Sequence, residues 1–221
     1  MCGRYYIDDG EDQAEMLRIL AAANEGYRGK ALASKLKTGE IFPTEVVPVV
    51  AAVPDRGDTA SVQLMQWGML SRDFGRVIIN ARSESAAEKP MFHQSVRQGR
   101  VLVPASNFFE WRKQPDSKRK TRVCLGVPGA DFFYMAGLWR SERLSPADAE
   151  KLFDEPVTEA VINRFVIITM AASEWMSSIH DRMPLILTRE AGQRWLFDTE
   201  AALAILANPL ASPLAACDRI I

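Results

Sequence analysis

The chain has 221 residues and nearly balanced charge, 27 Lys plus Arg against 28 Asp plus Glu, so any contact with nucleic acid must come from a local basic patch. Apolar residues make up 48% and charged residues 25%, which excludes extended disorder and a coiled coil and provides for a substantial core in a single domain over 1–221. No apolar run approaches the roughly 20 residues that a membrane-crossing helix needs.

The opening Met-Cys-Gly-Arg-Tyr-Tyr has no apolar h-region and soon reaches Asp8, Asp9 and Glu11, so it does not read as a secretory signal and a cytosolic protein is expected. From Glu11 to Ala23 the positions Ala14, Leu17, Leu20 and Ala21 fall on one helical face, with Asn24 and Gly26 as a stop. From Val46 onward the texture changes to short β-rich runs: Val46 to Val53, Ser61 to Leu70, Arg76 to Ile79, Arg100 to Val103, Arg122 to Val127, Phe132 to Leu138, Phe165 to Thr169 and Leu185 to Thr188.

The segment Ser145 to Asn163 mixes helix formers with Pro146 and Pro156 and predicts one or two short helices. Thr188 to Phe197 and Thr199 to Ala207 each open on a threonine cap with a glutamate close behind, and Asn208-Pro209 ends the second. Strands in a block with helices at both ends predict an α+β fold: a mainly antiparallel, barrel-like β core with peripheral helices.

Three scattered cysteines, Cys2, Cys124 and Cys217, fit reduced thiols better than a disulfide framework. With only two histidines and no CxxC pair, neither a metal nor another cofactor is expected. Removal of Met1 would leave Cys2 with an amine and a thiol on one residue, whose reference pKa values of ~7.7–8.0 and ~8.5 give both a nucleophilic fraction at cytosolic pH. Such a 1,2-aminothiol can attack an acyl carbon, or condense with an aldehyde to a Schiff base that the thiol closes to a thiazolidine. Alone, Cys2 reads more plainly as a terminal residue without a task.

Three segments place polar groups in apolar, β-rich surroundings, where an unpaired polar group is costly. They are Ile78-Ile79-Asn80-Ala81-Arg82-Ser83-Glu84, Val103-Pro104-Ala105-Ser106-Asn107-Phe108-Phe109-Glu110-Trp111 and Ser178-Ile179-His180-Asp181-Arg182-Met183-Pro184. A carboxylate among aromatics and a histidine suit proton transfer near neutrality, which makes Glu110 and His180 the acid/base candidates. Glu110 paired with an arginine and His180 as a structural residue are the plainer readings of each. The run Arg112 to Arg122 carries six basic residues around Asp116, with Pro115-Asp116-Ser117 as the turn of a hairpin whose tip either grazes DNA or is simply solvated.

In this order and spacing the motifs resemble the SRAP family, the SOS response-associated peptidases, also described as abasic-site processing proteins. The similarity runs from Cys2-Gly3-Arg4-Tyr5 through Ile41-Phe42-Pro43-Thr44, Trp67-Gly68-Met69, Asn80 to Glu84, Val103-Pro104, Glu110-Trp111 and Ala136-Gly137-Leu138-Trp139 to His180 to Pro184. The resemblance implies that an exposed N-terminal Cys2 joins covalently to the ring-opened sugar of an abasic site in single-stranded DNA. Asn80 would position the cysteine amine or the sugar, Glu110 would assist proton transfer, and His180 would promote sugar opening. Arg4 and Arg82 would hold flanking phosphates, Trp67 and Pro43 would offer a stacking or wedging surface at single-strand/duplex junctions, and Thr169 would add a hydroxyl.

Where the family carries Thr-Thr, a variable residue and then Ala-Asn, this chain reads Thr169-Met170-Ala171-Ala172-Ser173, and the stretch between Met69 and Val77 lacks the usual proline and tryptophan. A Cys2-dependent peptidase, acting on other chains or only on its own Met1, and a noncovalent single-strand binder are the alternatives. A cytoplasmic monomer, gathered on the nucleoid when bound to DNA, completes the expectation.

Overall fold

The structure, a computed structural model, describes all residues except 1, 72–74, 115–116, 154–159 and 218–221. In chain order, β1 (Arg4–Ile7) and α1 (Ala14–Gly26) precede β2 (Gly39–Ile41), β3 (Val46–Ala52), β4 (Ala60–Trp67), β5 (Met69–Leu70), β6 (Val77–Ile78) and β7 (Asn80–Arg82). Helices α2 (Ser83–Ala86) and α3 (His93–Gln98) lead to β8 (Arg100–Ala105), β9 (Asn107–Gln114), β10 (Ser117–Gly126) and β11 (Phe133–Arg143). Then come α4 (Pro146–Phe153), β12 (Val161–Ala171), α5 (Glu174–Ser177), β13 (Arg182–Pro184), β14 (Ile186–Leu187), α6 (Arg189–Phe197), α7 (Thr199–Ala207) and β15 (Ala215–Ala216). The fold is α+β.

Strands β12, β4, β3, β8 and β11 close into a five-stranded barrel, antiparallel throughout except where β12 runs parallel to β4. The apolar run Phe165 to Ile168 of β12 is wholly buried, as expected of a strand covered on both faces. A second sheet, in the order β15-β10-β9-β1-β2, grows out of the barrel because β8 passes into β9 with only Ser106 between them. There the Ser106 N–H donates to the Tyr6 carbonyl at 2.8 Å, and its hydroxyl accepts the Asp8 N–H at 3.2 Å.

The barrel-like core and the flanking helices agree with the sequence reading, while several boundaries do not. The first helix lies one turn later than Glu11 to Ala23, with Asn24 and Gly26 inside it and Tyr27 at its C-cap. A strand, β1, precedes it, so the N-terminal end is not helical. The second threonine cap is incorrect: Asp198, not Thr199, accepts the Ala201 N–H at 2.9 Å and opens α7, whereas Thr188 caps α6 as expected. The hairpin of the basic run is present, with Gln114 opposite Ser117, although most of its predicted turn lies outside the described residues. The same holds for much of the Ser145 to Asn163 segment beyond α4.

Two polar anchors fix the barrel wall. The buried Arg100 guanidinium donates to the carbonyls of Val96 (2.8 Å), Arg97 (2.7 Å), Leu196 (3.0 Å) and Trp195, tying down the C-terminal ends of α3 and α6. The predicted strand Ser61 to Leu70 breaks at Gly68, whose φ of 114° lies in glycine's territory and whose N–H donates to the Phe165 carbonyl at 2.7 Å. The buried Arg164 donates back to the Gly68 carbonyl at 3.2 Å. A Cβ at position 68 would come within 2.3 Å of Val77 Cγ1. Gly68→Ala should therefore destabilise the fold by about 2 kcal/mol or more, read as a lowered urea midpoint at unchanged m-value.

Candidate active site around Cys2

Tyr5 opposes Phe108 and Arg4 opposes Phe109, so one further step in each chain brings the Gly3-Cys2 end of β1 up to Glu110 on β9. Strand alternation turns Tyr5, Phe108 and Glu110 to the inner face of this sheet. On the other side, β7 runs parallel to β12, with Asn80 opposite Ile167. From there the Asn80 side-chain amide donates to the Cys2 backbone carbonyl at 2.9 Å. Cys2, Asn80 and Glu110, far apart in the chain, thus meet at the seam between the barrel and the second sheet.

Cys2 is completely buried, and its thiol donates a long hydrogen bond to the Arg4 carbonyl at 3.8 Å. This corrects both the exposed cysteine and the ready thiolate expected from the sequence. Burial, reinforced by the neighbouring Glu110 charge, pushes the thiol pKa up to about 12. At neutral pH residue 2 carries a neutral thiol.

Beside it, the Tyr5 ring meets Trp67 edge-on with centroids 5.1 Å apart, and the Trp67 indole donates to the Ile79 carbonyl at 3.0 Å, next to Asn80. Among the described residues neither the Tyr5 hydroxyl nor the Asn80 side-chain oxygen has a hydrogen-bond partner, although both are buried. An orphaned buried group costs about 1–3 kcal/mol, so this seam carries unused polar capacity in the free protein.

His180 lies between α5 and β13. Its Nδ1 sits 2.7 Å from an Asp181 carboxylate oxygen and 3.0 Å from the Arg182 amide nitrogen. Protonated, Nδ1 donates to Asp181; unprotonated, it accepts the Arg182 N–H. Either state fixes the ring. Arg182 joins this loop to the Asn80 segment, donating to both oxygens of Glu84 (Nη2–Oε2 2.9 Å) and to the Thr169 carbonyl at 2.6 Å. The Arg182 hydrogen bonds hold the Glu84 carboxyl down at about 2, against the opposing effect of partial burial.

The family model described as SOS response associated peptidase (SRAP) matches residues 1–218. The chain belongs to the SRAP family. An abasic site processing protein of Bacillus subtilis, YobE, is 32% identical over 169 residues, 73% of this chain and 71% of that protein. The abasic site processing protein YedK of Escherichia coli is 32% identical over 119 residues, 54% of this chain and 47% of its own. Among solved structures, a Bacteroides thetaiotaomicron protein superposes with a TM-score of 0.71 at 22% identity, covering 97% of this chain and 91% of that one. A Bordetella bronchiseptica protein gives a TM-score of 0.67 at 18% identity, covering 99% and 100%. The structural likenesses establish a shared fold.

In this SRAP chain the remaining expected residues divide by exposure. Arg82 is exposed, and Arg4 and Pro43 are half-exposed at the rim. Trp67 and Thr169 are each 0% exposed, which corrects their expected place on a DNA-facing surface. Trp67 braces Tyr5 and the Asn80 loop, while the Thr169 hydroxyl donates to the Ala81 carbonyl at 3.5 Å. Arg182 and Tyr5 were missed as site residues; the signal for Tyr5 was its alternation with Ile7, and for Arg182 its place beside His180.

Two outcomes follow from this geometry. Iodoacetamide at pH 7.5 on protein retaining Met1 should label the half-buried Cys124 and Cys217 well before Cys2, as read by peptide mass mapping. Equal labelling of all three would contradict a buried, protonated thiol. The Glu84 carboxyl, depressed in the fold, contributes stability above its unfolded pKa of about 4.3 and loses it as pH falls through about 2. Glu84→Gln should thus lower Tm slightly at pH 7, and the difference from the parent protein should shrink towards pH 2.

Proposed function

We propose that this protein captures abasic sites in single-stranded DNA by forming a thiazolidine between the Cys2 aminothiol and the sugar aldehyde. The observation that carries the reading is the Asn80 amide on the Cys2 carbonyl, with Glu110 acting on the thiol from the other side. The Asn80 amide holds residue 2 by its backbone just before β1, and the relatives named for abasic-site processing support the substrate class.

While Met1 is attached the Cys2 nitrogen is a peptide amide, so Met1 is removed first. His180 takes the proton of the sugar C1 hydroxyl and returns one to the ring oxygen, opening the ring to the aldehyde. The Cys2 amine adds to C1, a proton passes to the former carbonyl oxygen, and loss of water leaves the imine. The thiol then adds across the C=N bond. Sulfur bonds to C1, the sulfhydryl proton leaves through Glu110, and the imine nitrogen gains one.

The order follows from the two nucleophiles themselves: the amine makes the first bond to the aldehyde carbon, and sulfur closes the ring as its proton departs. While Met1 is attached, a thiol pushed up to about 12 weighs against its own thiolate attacking that first peptide bond. Arg82 and Arg4 hold the flanking phosphates and Pro43 lies at the rim where the strand enters.

Protein verified by mass to begin at Cys2, mixed with a single-stranded oligonucleotide bearing one abasic site, should give a covalent product on a denaturing gel. Cys2→Ser should abolish it, and Asn80→Ala or Glu110→Gln should slow its formation about ten- to a thousand-fold. No covalent product from the trimmed protein would overturn the proposal. Cys2-dependent hydrolysis of peptides in its place would establish the peptidase.

A further inference from the structure

With Trp67 buried, the surface that meets nucleobases lies elsewhere. Alternation along the paired strands puts Arg4, Glu40, Phe109, Trp111 and Arg122 on the outer face of the second sheet, opposite the face that carries Tyr5 and Glu110. At the end of β2 this face is extended by Phe42, 39% exposed.

Phe42 is presented by a constrained turn. Its N–H donates to a Glu45 carboxylate oxygen at 2.8 Å, and the Glu45 N–H donates to the Phe42 carbonyl at 3.2 Å. Between them Thr44 adopts a left-handed φ of 75° and donates its N–H to the Trp67 carbonyl at 2.8 Å. A residue held in that region costs of order 1–3 kcal/mol unless its surroundings impose it. The aromatic ring is therefore placed at the surface by the fold.

Around it the charges are arranged to receive an anion. The Arg4 guanidinium lies 4.4 Å from the centroid of the Phe42 ring and 5.1 Å from that of Trp111, and Arg122 lies 3.8 Å from that of Phe109. Arg4 and Arg122 share one carboxylate, Glu40, at 3.3 and 3.1 Å, so two cations face a single anion. Further exposed cations on this face, Lys113 and Lys120, continue along the β9–β10 hairpin. Aromatic faces interleaved with guanidinium groups along an extended strand match the stacking-and-phosphate pattern of single-strand binders.

We propose that Phe42, whose Arg4 neighbour also reaches Trp111, is a base-stacking platform, and that Arg4 and Arg122, held in place by Glu40, take the phosphates of single-stranded DNA crossing this outer face. The inference rests on the function proposed above for the identity of its partner. It replaces the buried Trp67 with Phe42 as the aromatic that meets the bases, and it leads the DNA along β1, whose first residue, Arg4, follows Cys2 and Gly3.

The test uses fluorescein-labelled oligothymidine of fifteen nucleotides without an abasic site, so that noncovalent binding is read by anisotropy. Phe42→Ala should raise Kd about five- to thirty-fold, the loss of roughly one stacked base, while Phe42→Trp retains affinity. Arg122→Gln should weaken binding and flatten the log Kd against log salt plot by about 0.7, whereas Phe42→Ala leaves that slope unchanged. Phe42→Ala binding as tightly as the parent, or Phe42→Trp falling as far as Phe42→Ala, overturns the platform. If the parent protein still forms its Cys2-dependent covalent product in that case, only the platform fails. If Phe42→Ala weakens binding as expected but trimmed protein forms no covalent product, the platform stands and the covalent function fails.

Discussion

The arrangement depends on β12, a buried apolar strand that hydrogen-bonds to β11, β4, β7 and β13. Its first half closes the barrel; its second half carries β7 and β13, and with them Asn80, Arg182 and the loop of His180. A strand with partners on both edges along its length has little freedom of register, because a one-residue slip would turn every buried side chain outward. The site therefore inherits its geometry from the barrel, and loops contribute only the final adjustment.

The Cys2 end is fixed by a different device. Strand β8 does not stop at the barrel wall but runs on through Ser106 into β9, which lays Glu110 beside β1. Barrel and second sheet share one nearly continuous strand, so Glu110 and Asn80 are positioned from opposite sides of the same scaffold. The Arg182–Glu84 pair then links the two segments that flank Asn80 and His180.

Which polar residues the fold gathers was more readable in the sequence than which residues it buries. Asn80, Glu110 and His180 stood out because a polar residue in an apolar strand needs a reason, and local pattern shows that. The α+β class and α6 with its Thr188 cap were also readable, since periodicity and capping are local signals. The burial of Trp67 and Cys2 was not. Trp67 lies inward because the chain turns at Gly68, and that turn is set by Phe165 and Arg164 about a hundred residues away. Likewise β1 and β9 are strands through pairing with each other, and short segments of mixed composition carry little strand signal alone.

The hydrogen bond from Asn80 reaches the peptide carbonyl of residue 2, not its side chain. The scaffold thus grips position 2 as backbone, independently of what the side chain can do. Placement and reactivity are separable properties here. The same seam can present a serine, an alanine or a selenocysteine in the same position and isolate the contribution of a single sulfur atom. The frame that holds position 2 does not depend on which side chain stands there.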